Sequence, residues 1–480
     1  MVVAVSDNSL NSNSNFSAST SSAPCPAADP KSDHSNPPDL NTSNDVFADL
    51  KLPRPSLFPA ENMTIGKLEK IYKSDIDPDI DEAITLMAQD VRTATTSLIG
   101  QTYIFDPYSQ GAQELFKSVA WAQRKNPKFE FALIVNAFSS PDYDEIVQQA
   151  SLYGVAMRLG IFYNGITRGS LHSKSWVLDG KFAYVGGDNV DNKPENDYMA
   201  CFRGAVIAEV EADLLEAWRE SNHIQLSEGL RPIDLKDIIN LAKPDFLEAS
   251  QEYPIAVLTK DKVAWYRTRT GYYQNEADQS ILSVIDSATK SVQIMGPNIN
   301  DAEVLEALCR AAERGVKVQV LLPKGYQRLM SWIDRATNSL PLIYRSRLSF
   351  EAAKNFDIRF YSEDGKNFSD SHAKFYGVDG KIAILGSQNP DSQSFRFSRE
   401  FSLAICDSEA AKLARQELFD RSWKTSITAP EKLWHRLCPI PGRTSTRRFL
   451  KYLITPVELA ENLIKIVNWK TGRKDLFQFC

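Results

Sequence analysis

From about residue 78 the chain alternates between two spacings of apolar residues. "IDEAITLMAQDVRTATTSL" carries them every three or four positions, the period of a helix with one buried face. "LIGQTYIF", which overlaps its end, is a short apolar run of the strand type. The alternation continues. "GAQELFKSVAWAQRK" predicts a helix, "FEFALIVNAF" a buried strand, "DEIVQQASLYG" a helix and "VAMRLGIFY" a strand. "KSWVLDG" and "KFAYVGG" predict a strand pair joined at a tight "DGK" turn, and "ACFRGAVI" and "AEVEADLLEAWRES" close the block. The second half repeats the order. "EADQSILSVIDSATKS" and "AEVLEALCRAAERG" are helical, and "VQIMGP", "VKVQVLLP" and "FDIRFYS" are strands. "KFYGVDG" and "KIAILGS" pair across a second "DGK" turn before "EFSLAICD" and "SEAAKLARQELFDRSW". Strands alternating with helices predict an α/β fold. Two blocks in one order predict a duplication, hence two similar α/β/α sandwich domains forming a fused pseudo-dimer.

The pattern also sets expected boundaries. Residues 1–60 are rich in Ser, Asn, Pro and Asp and bury too little apolar area to offset ordering, so a disordered tail is expected. It reads either as a plain solvated tail or as an export signal for a specialised secretion system. Residues 61–224 form the first domain, 225–274 a linker, 275–425 the second domain and 426–480 a C-terminal tail. In that tail Arg443, Arg447, Arg448, Lys451 and Lys465 accompany apolar residues at helical intervals. Two readings stand: a helix docked on the core, or a basic amphipathic helix on anionic lipid.

Composition narrows the class. The chain has 480 residues, 43% of them hydrophobic and 24% charged, which is enough for a substantial core. A net charge of −6 disfavours a general polyanion binder. No run approaches the ~18 apolar residues of a membrane span, and "MVVAV" is too short for a signal peptide. The expected location is therefore cytoplasmic or at a membrane surface. The six cysteines are scattered, which suggests neither a disulfide framework nor a zinc site.

The chemistry lies in a repeated phrase. "HSKSWVLDGK" begins at His172 and "HAKFYGVDGK" at His372. Each reads H-x-K-x4-D: His172, Lys174 and Asp179, then His372, Lys374 and Asp379. A glycine-led turn follows, and the His-to-Asn spacing is 17 in both, ending at Asn189 and Asn389. An acid comes next, Asp197 in one half and Glu400 in the other. Two copies in register are a strong signal where one would be weak. Side chains two apart on a strand share a face, so each histidine projects with its lysine. If the halves meet face to face, two imidazoles, two ammonium groups and two amides surround one tetrahedral anion. One histidine can attack phosphorus while the other protonates the leaving alcohol and then activates water or an acceptor alcohol. The lysines and Asn amides serve the non-bridging oxygens. Asp197 and Glu400 can fix an imidazole tautomer. Asp179 and Asp379, beside the turn, suit a structural role. No metal or other cofactor is demanded, because the lysines supply the charge. His34, His223 and His435 have no such context.

These blocks resemble those of the phospholipase D superfamily, whose hallmark is the paired HKD motif, and are most similar to its two-domain, cardiolipin-synthase-like members. "HSKSWVLDGKFAYVGGDNVDN…NDYMACFRGAVI" is similar to their first motif block. "HAKFYGVDGKIAILGSQNPDSQSFRFSREFSLAI" is similar to their second, including the N-x-D-x-x-S-F run from Asn389 to Phe395. The resemblance covers about residues 80–425. It implies one active site at the interface of a pseudo-dimer, a phosphohistidine intermediate without a metal, and His172 as nucleophile with His372 as acid. The first turn departs from the family, reading Gly-Gly-Asp-Asn rather than Gly-Ser-x-Asn.

The leading expectation is a phosphodiesterase acting on phospholipids at a membrane surface, either phospholipase D or a phosphatidyltransferase, with water or an alcohol as acceptor. A monomer suffices, since both halves are in one chain. The alternative is a nuclease of the same superfamily, which needs a basic groove with stacking aromatics; the net charge disfavours it. A third reading, a non-enzymatic membrane-binding protein with decayed motifs, conflicts with both motifs being complete. Aromatic and basic stretches such as "WYRTRTGYY" and "GYQRLMSWIDR" fit an interfacial enzyme.

Overall fold

The computed structural model describes residues 57–74, 82–137, 143–162, 170–193, 195–221, 223–241, 252–260, 275–324 and 338–429. The two tails beyond these, the export-signal and lipid-helix expectations placed on them, and the stretches "WYRTRTGYY" and "GYQRLMSWIDR" lie outside the described residues.

The first half runs β1 (Met63–Ser74), α1 (Glu82–Val91), β2 (Ser97–Thr102), α2 (Gln110–Lys125), β3 (Glu130–Asn136), α3 (Tyr143–Leu152) and β4 (Arg158–Phe162). It continues with β5 (Ser175–Leu178), β6 (Phe182–Gly186), β7 (Asp197–Arg203), α4 (Val206–Arg219), β8 (His223–Leu226) and α5 (Leu235–Leu241). The second half repeats this with β9 (Tyr253–Lys260), α6 (Glu276–Ser287), β10 (Ser291–Met295), α7 (Ala302–Glu313), β11 (Lys317–Leu322), α8 (Leu340–Arg345), α9 (Phe350–Lys354) and β12 (Phe356–Phe360). Then come β13 (Phe375–Val378), β14 (Ile382–Gly386), α10 (Ser392–Arg396), β15 (Glu400–Ile405), α11 (Ser408–Ala414) and β16 (Ile427–Thr428). The alternation read from apolar spacing is the α/β architecture observed.

The strands join in one 16-stranded sheet, ordered β16-β12-β11-β10-β13-β14-β15-β9-β1-β7-β6-β5-β2-β3-β4-β8. Read outward from its centre, the order is the same in both directions. On each side β2–β3–β4 and β10–β11–β12 are parallel, as helical crossovers require, and the hairpin strands are antiparallel. The centre is the antiparallel pairing of β1 with β9, Met63 opposite Ala256 through Gly66 opposite Tyr253. Beyond Gly66, β1 pairs with β7, from Lys67 opposite Arg203 to Ser74 opposite Asp197. The segment 225–274, expected as a linker, therefore contributes α5 and a central strand, while β1 precedes the point where the apolar alternation becomes clear.

Three apolar clusters cover the sheet. One lies under α1–α3 and a second under α6–α9. The third is shared by both halves: Val210, Leu214 and Trp218 of α4 belong to it together with Phe375, Phe401 and Phe419. Continuity of this cluster makes the two halves one packed body. Helix starts are capped as their sequences dictate. Asp301 accepts the Glu303 and Val304 N–H groups at 2.9 and 3.3 Å, and Ser109 accepts that of Ala112 at 3.1 Å; such caps contribute about 1 kcal/mol each. No helix among the described residues is long and apolar enough to cross a membrane.

Candidate active site

The two "DGK" phrases form hairpin turns with both central residues at positive φ: Asp179 (54°) and Gly180 (62°), then Asp379 (55°) and Gly380 (67°). That conformation matches the twist of the flanking strands, and Asp-Gly tolerates it. The Asp179 carboxylate accepts N–H bonds from Thr95, Thr96 and Ser97 at 2.7, 2.7 and 3.0 Å. Asp379 does the same for Thr289, Lys290 and Ser291 at 3.0, 2.7 and 2.9 Å. Each aspartate thus ties its hairpin to the start of the neighbouring strand, β2 or β10, at the end of β5 or β13 away from the histidine.

At the other end, His172 and His372 leave their strands and meet. Their ring centroids are 6.4 Å apart, with the planes nearly perpendicular at 86°. Main-chain bonds between the halves hold them. The His172 N–H donates to Arg399 O and the His372 N–H to Asn196 O, both at 2.9 Å. The acids are exchanged in the same way. His172 Nδ1 lies 2.9 and 3.0 Å from the two carboxylate oxygens of Glu400, in the second half. His372 Nδ1 lies 2.7 Å from Asp197 Oδ2, in the first. Lys174 Nζ donates to His172 O at 2.7 Å. Lys374 Nζ is 2.7 Å from His372 Nδ1 and 3.6 Å from Asp197 Oδ2. All these groups are buried.

The expected amides are nearby but locally engaged. Asn189 Oδ1 accepts the Ile104 N–H at 3.3 Å, and Asn389 Nδ2 donates to Asp391 Oδ2 at 3.0 Å. Further residues complete the site, two of them, Ser387 and Ser394, from within the second motif block. Ser387 and Ser394 donate to the two Glu400 oxygens at 2.6 and 2.7 Å. Tyr103 meets the His172 ring edge-on at 5.1 Å, and Lys174 Nζ stands 5.2 Å from its centroid. Glu195 Oε1 is 3.5 Å from His372 Nδ1; its only signal in the sequence is its place two residues before Asp197, on the same face of an extended chain.

Burial shapes the protonation states. It lowers His172 to about 4, helped by Lys174 and Lys374 and opposed by Glu400. It lowers His372 well below 6.5, in concert with both lysines. The lysines are themselves lowered, chiefly by burial. Burial would raise Glu400, but the neighbouring His172, Lys174 and Ser387 hold it below its ordinary value. For Asp197, burial outweighs Lys374 and the Tyr198 N–H, and its carboxyl is raised. Glu195 is pushed up to about 8, again by burial first. Glu195, Asp197 and His372 hold ligand-type atoms within 4.8 Å of one another. The Lys374 ammonium beside two of them already supplies the positive charge a cation would bring.

The halves differ at one turn. Where Ser387 donates to Glu400, the first half has Gly187, and a Cβ there would stand 2.3 Å from Asp197 Oδ1. Glycine is required by that carboxylate, not by backbone conformation.

Two matched half-sheets each bring a His-x-Lys to one site and an acid to the other half's histidine, a paired arrangement that resembles a phospholipase D site. Residues 281–423 match the family model described as cardiolipin synthase, PLD-like domain. Cardiolipin synthase 1 of Staphylococcus epidermidis is 26% identical over 295 residues, which span 60% of this chain and 53% of that protein. The cardiolipin synthase of Clostridium perfringens is 25% identical over 370 residues, spanning 72% of this chain and 70% of that one. The fold is shared with phosphatidylserine synthase of Haemophilus influenzae, at a TM-score of 0.56 and 15% identity over 85% of this chain and 96% of that one.

Proposed function

We propose that the chain transfers or hydrolyses the phosphatidyl group of phospholipids by double displacement. The observation that carries this is the pair of imidazoles 6.4 Å apart, each with Nδ1 on a carboxylate of the opposite half. That gap fits one phosphorus atom between two Nε2 atoms. His172 Nε2 attacks phosphorus, and an N–P bond forms as the P–O bond to the head-group alcohol breaks. His372 Nε2 gives that alcohol its proton. Water or an acceptor alcohol then attacks phosphorus and gives its proton to His372, and the N–P bond breaks. Lys174 and Lys374 stabilise charge on the non-bridging oxygens, with the amides of Asn189 and Asn389 as further donors. The electrostatic work needs no metal or other cofactor.

The surroundings of the two rings support the division of roles. Glu400, ionised and fed by two serines, takes an Nδ1–H from His172 and leaves a lone pair on Nε2. His372 Nδ1 lies 2.7 Å from Asp197 Oδ2, a partner that steadies this ring while Nε2 gives up its proton and takes one back. Resemblance to cardiolipin synthases, with a net charge of −6, favours phospholipid at a membrane surface over nucleic acid. Both hemisites come from one chain, so a monomer suffices.

Mass spectrometry of products from mixed phospholipid vesicles, with and without glycerol, tests this. Phosphatidic acid marks hydrolysis; phosphatidylglycerol or cardiolipin marks transfer. His172→Ala should abolish both products and the covalent adduct. Metal-chelator-resistant cleavage of DNA with no lipid turnover would replace this reading with the nuclease alternative.

A further inference from the structure

Beside Glu400 lies a second buried charge that the chemistry above does not use. Arg399 is 1% exposed, and its guanidinium crosses into the other half. Nη2 lies 2.5 Å from Asp213 Oδ1, 3.2 Å from Asp213 O and 2.9 Å from Glu216 Oε2, all on α4. Asp213 is in turn fixed by Gln101 of β2, whose Nε2 is 2.5 Å from Asp213 Oδ2 and 2.9 Å from Ser175 Oγ at the start of β5. Burying a guanidinium is unfavourable unless its charge is matched, and the acids beside this one, Asp213 and Glu216, both belong to the opposite half.

The main chain of the same residue holds the active site. Arg399 O accepts the His172 N–H at 2.9 Å, and its own N–H donates to Ser170 O at 2.8 Å. The next residue is Glu400, the partner of His172 Nδ1. The side chain therefore fixes, relative to β2 and β5, the short segment that orients His172 by both backbone and carboxylate. The pseudo-symmetric position before Asp197 is Asn196. It keeps the backbone bond, to His372, but its side chain only donates to Ser371 Oγ at 3.0 Å. The charged anchor serves one hemisite alone.

We propose that Arg399, through Asp213, is a positioning residue for the His172–Glu400 pair: an ion-pair latch between the halves that aligns the nucleophile and leaves His372 untouched. This rests on His172 acting as the nucleophile, but the alignment can be read without turnover. In full-length protein with 15N-labelled histidine, the His172 and His372 Nδ1 resonances are assigned by His172→Ala and His372→Ala. Arg399→Met should shift or broaden the His172 signal and spare that of His372. On phospholipid vesicles it should lower kcat about 100-fold with KM little changed, the effect of misplacing a reacting group. Arg399→Lys, which keeps the charge but not the fork, should give an intermediate shift, whereas Arg310→Met, breaking the ion pair with Asp286 far from the cleft, should give none. A folded Arg399→Met with an unchanged His172 signal overturns the proposal, as does equal disturbance of both histidines. Where Arg399→Met does not fold, an unchanged His172 signal in Arg399→Lys overturns it. A wild type that turns over no phospholipid sinks the functional reading, while the resonances still decide the latch.

Discussion

Adding one carbon at position 187 separates the two chemical steps. A Cβ there stands 2.3 Å from Asp197 Oδ1 and 3.0 Å from its Cγ. Carbon contacts settle near about 3.5 Å, so the carboxylate must retreat by roughly 1 Å. It is wedged by the Tyr198 N–H at 2.9 Å and by Lys374, so the retreat comes from its 2.7 Å contact with His372. A displacement of ~1 Å in a catalytic group costs on the order of 100-fold in rate, while the overpacking costs about 1–3 kcal/mol of stability. The His172–Glu400 pair is not touched. Gly187→Ala should therefore impair proton transfer by His372 but not attack by His172. On phosphatidylglycerol, whose alcohol leaves only with a proton, turnover should fall about 100-fold. On the phosphatidyl ester of p-nitrophenol, which leaves unaided, stopped-flow absorbance should show a rapid burst of one equivalent per site, then slow turnover as the covalent adduct waits for its base. Intact-protein mass spectrometry should find that adduct. Equal losses on both substrates with no burst, or full lipid turnover by the folded variant, would refute the assignment of His372 and the steric argument with it.

Two further outcomes follow from the same surroundings. The hydrogen bonds from Thr289, Lys290 and Ser291 overcome burial and hold Asp379 below the ordinary 3.8, so its stabilisation is present above that value and lost as pH falls through the folded one. Asp379→Asn should cost about 1–2 kcal/mol in urea denaturation at neutral pH, less near pH 3 by the same linkage, with activity per folded molecule intact; a loss of kcat at unchanged stability would contradict the structural role. Because burial lowers His172 to about 4, the neutral nucleophile persists well below 6.5, and kcat/KM should stay level on the acid side until about pH 4. The unfolded chain takes up that proton from about 6.5 downward, so stability falls across the same window and circular dichroism must accompany the profile; an acid limb between 6 and 7 in folded protein would mean that burial does not govern the site.

The strands bearing the motifs were legible because they are buried on both faces and end in Asp-Gly turns, whose chemistry is local. The two central strands were not. β1, "MTIGKLEKIYKS", mixes lysines with its apolar residues, because several of its side chains remain partly exposed. β9 opens with Tyr-Pro and lies amid segments without clear periodicity. Histidine, lysine and acid could be listed from spacing, but not the exchange of acids between halves. Partners 228 and 175 residues apart leave no local trace of which ring each carboxylate reaches. The bonds of Ser387 and Ser394 to Glu400 and the inward course of Arg399 were not legible, because their partners exist only once the sheet has closed around β1 and β9. The helix expected over "IDEAITLMAQDVRTATTSL" stops at Val91, since the N–H groups of Thr95, Thr96 and Ser97 are taken by a carboxylate more than eighty residues away.

Fusion of the halves into one chain has a consequence for how they evolve. Two identical subunits must give both imidazoles identical neighbours, so any change that improves attack is imposed on protonation as well. A single polypeptide is released from that constraint. Serine against glycine at 387 and 187, glutamate against aspartate at 400 and 197, and arginine against asparagine just before them are differences that two identical subunits could not carry. Each ring can then specialise for one half of the reaction cycle.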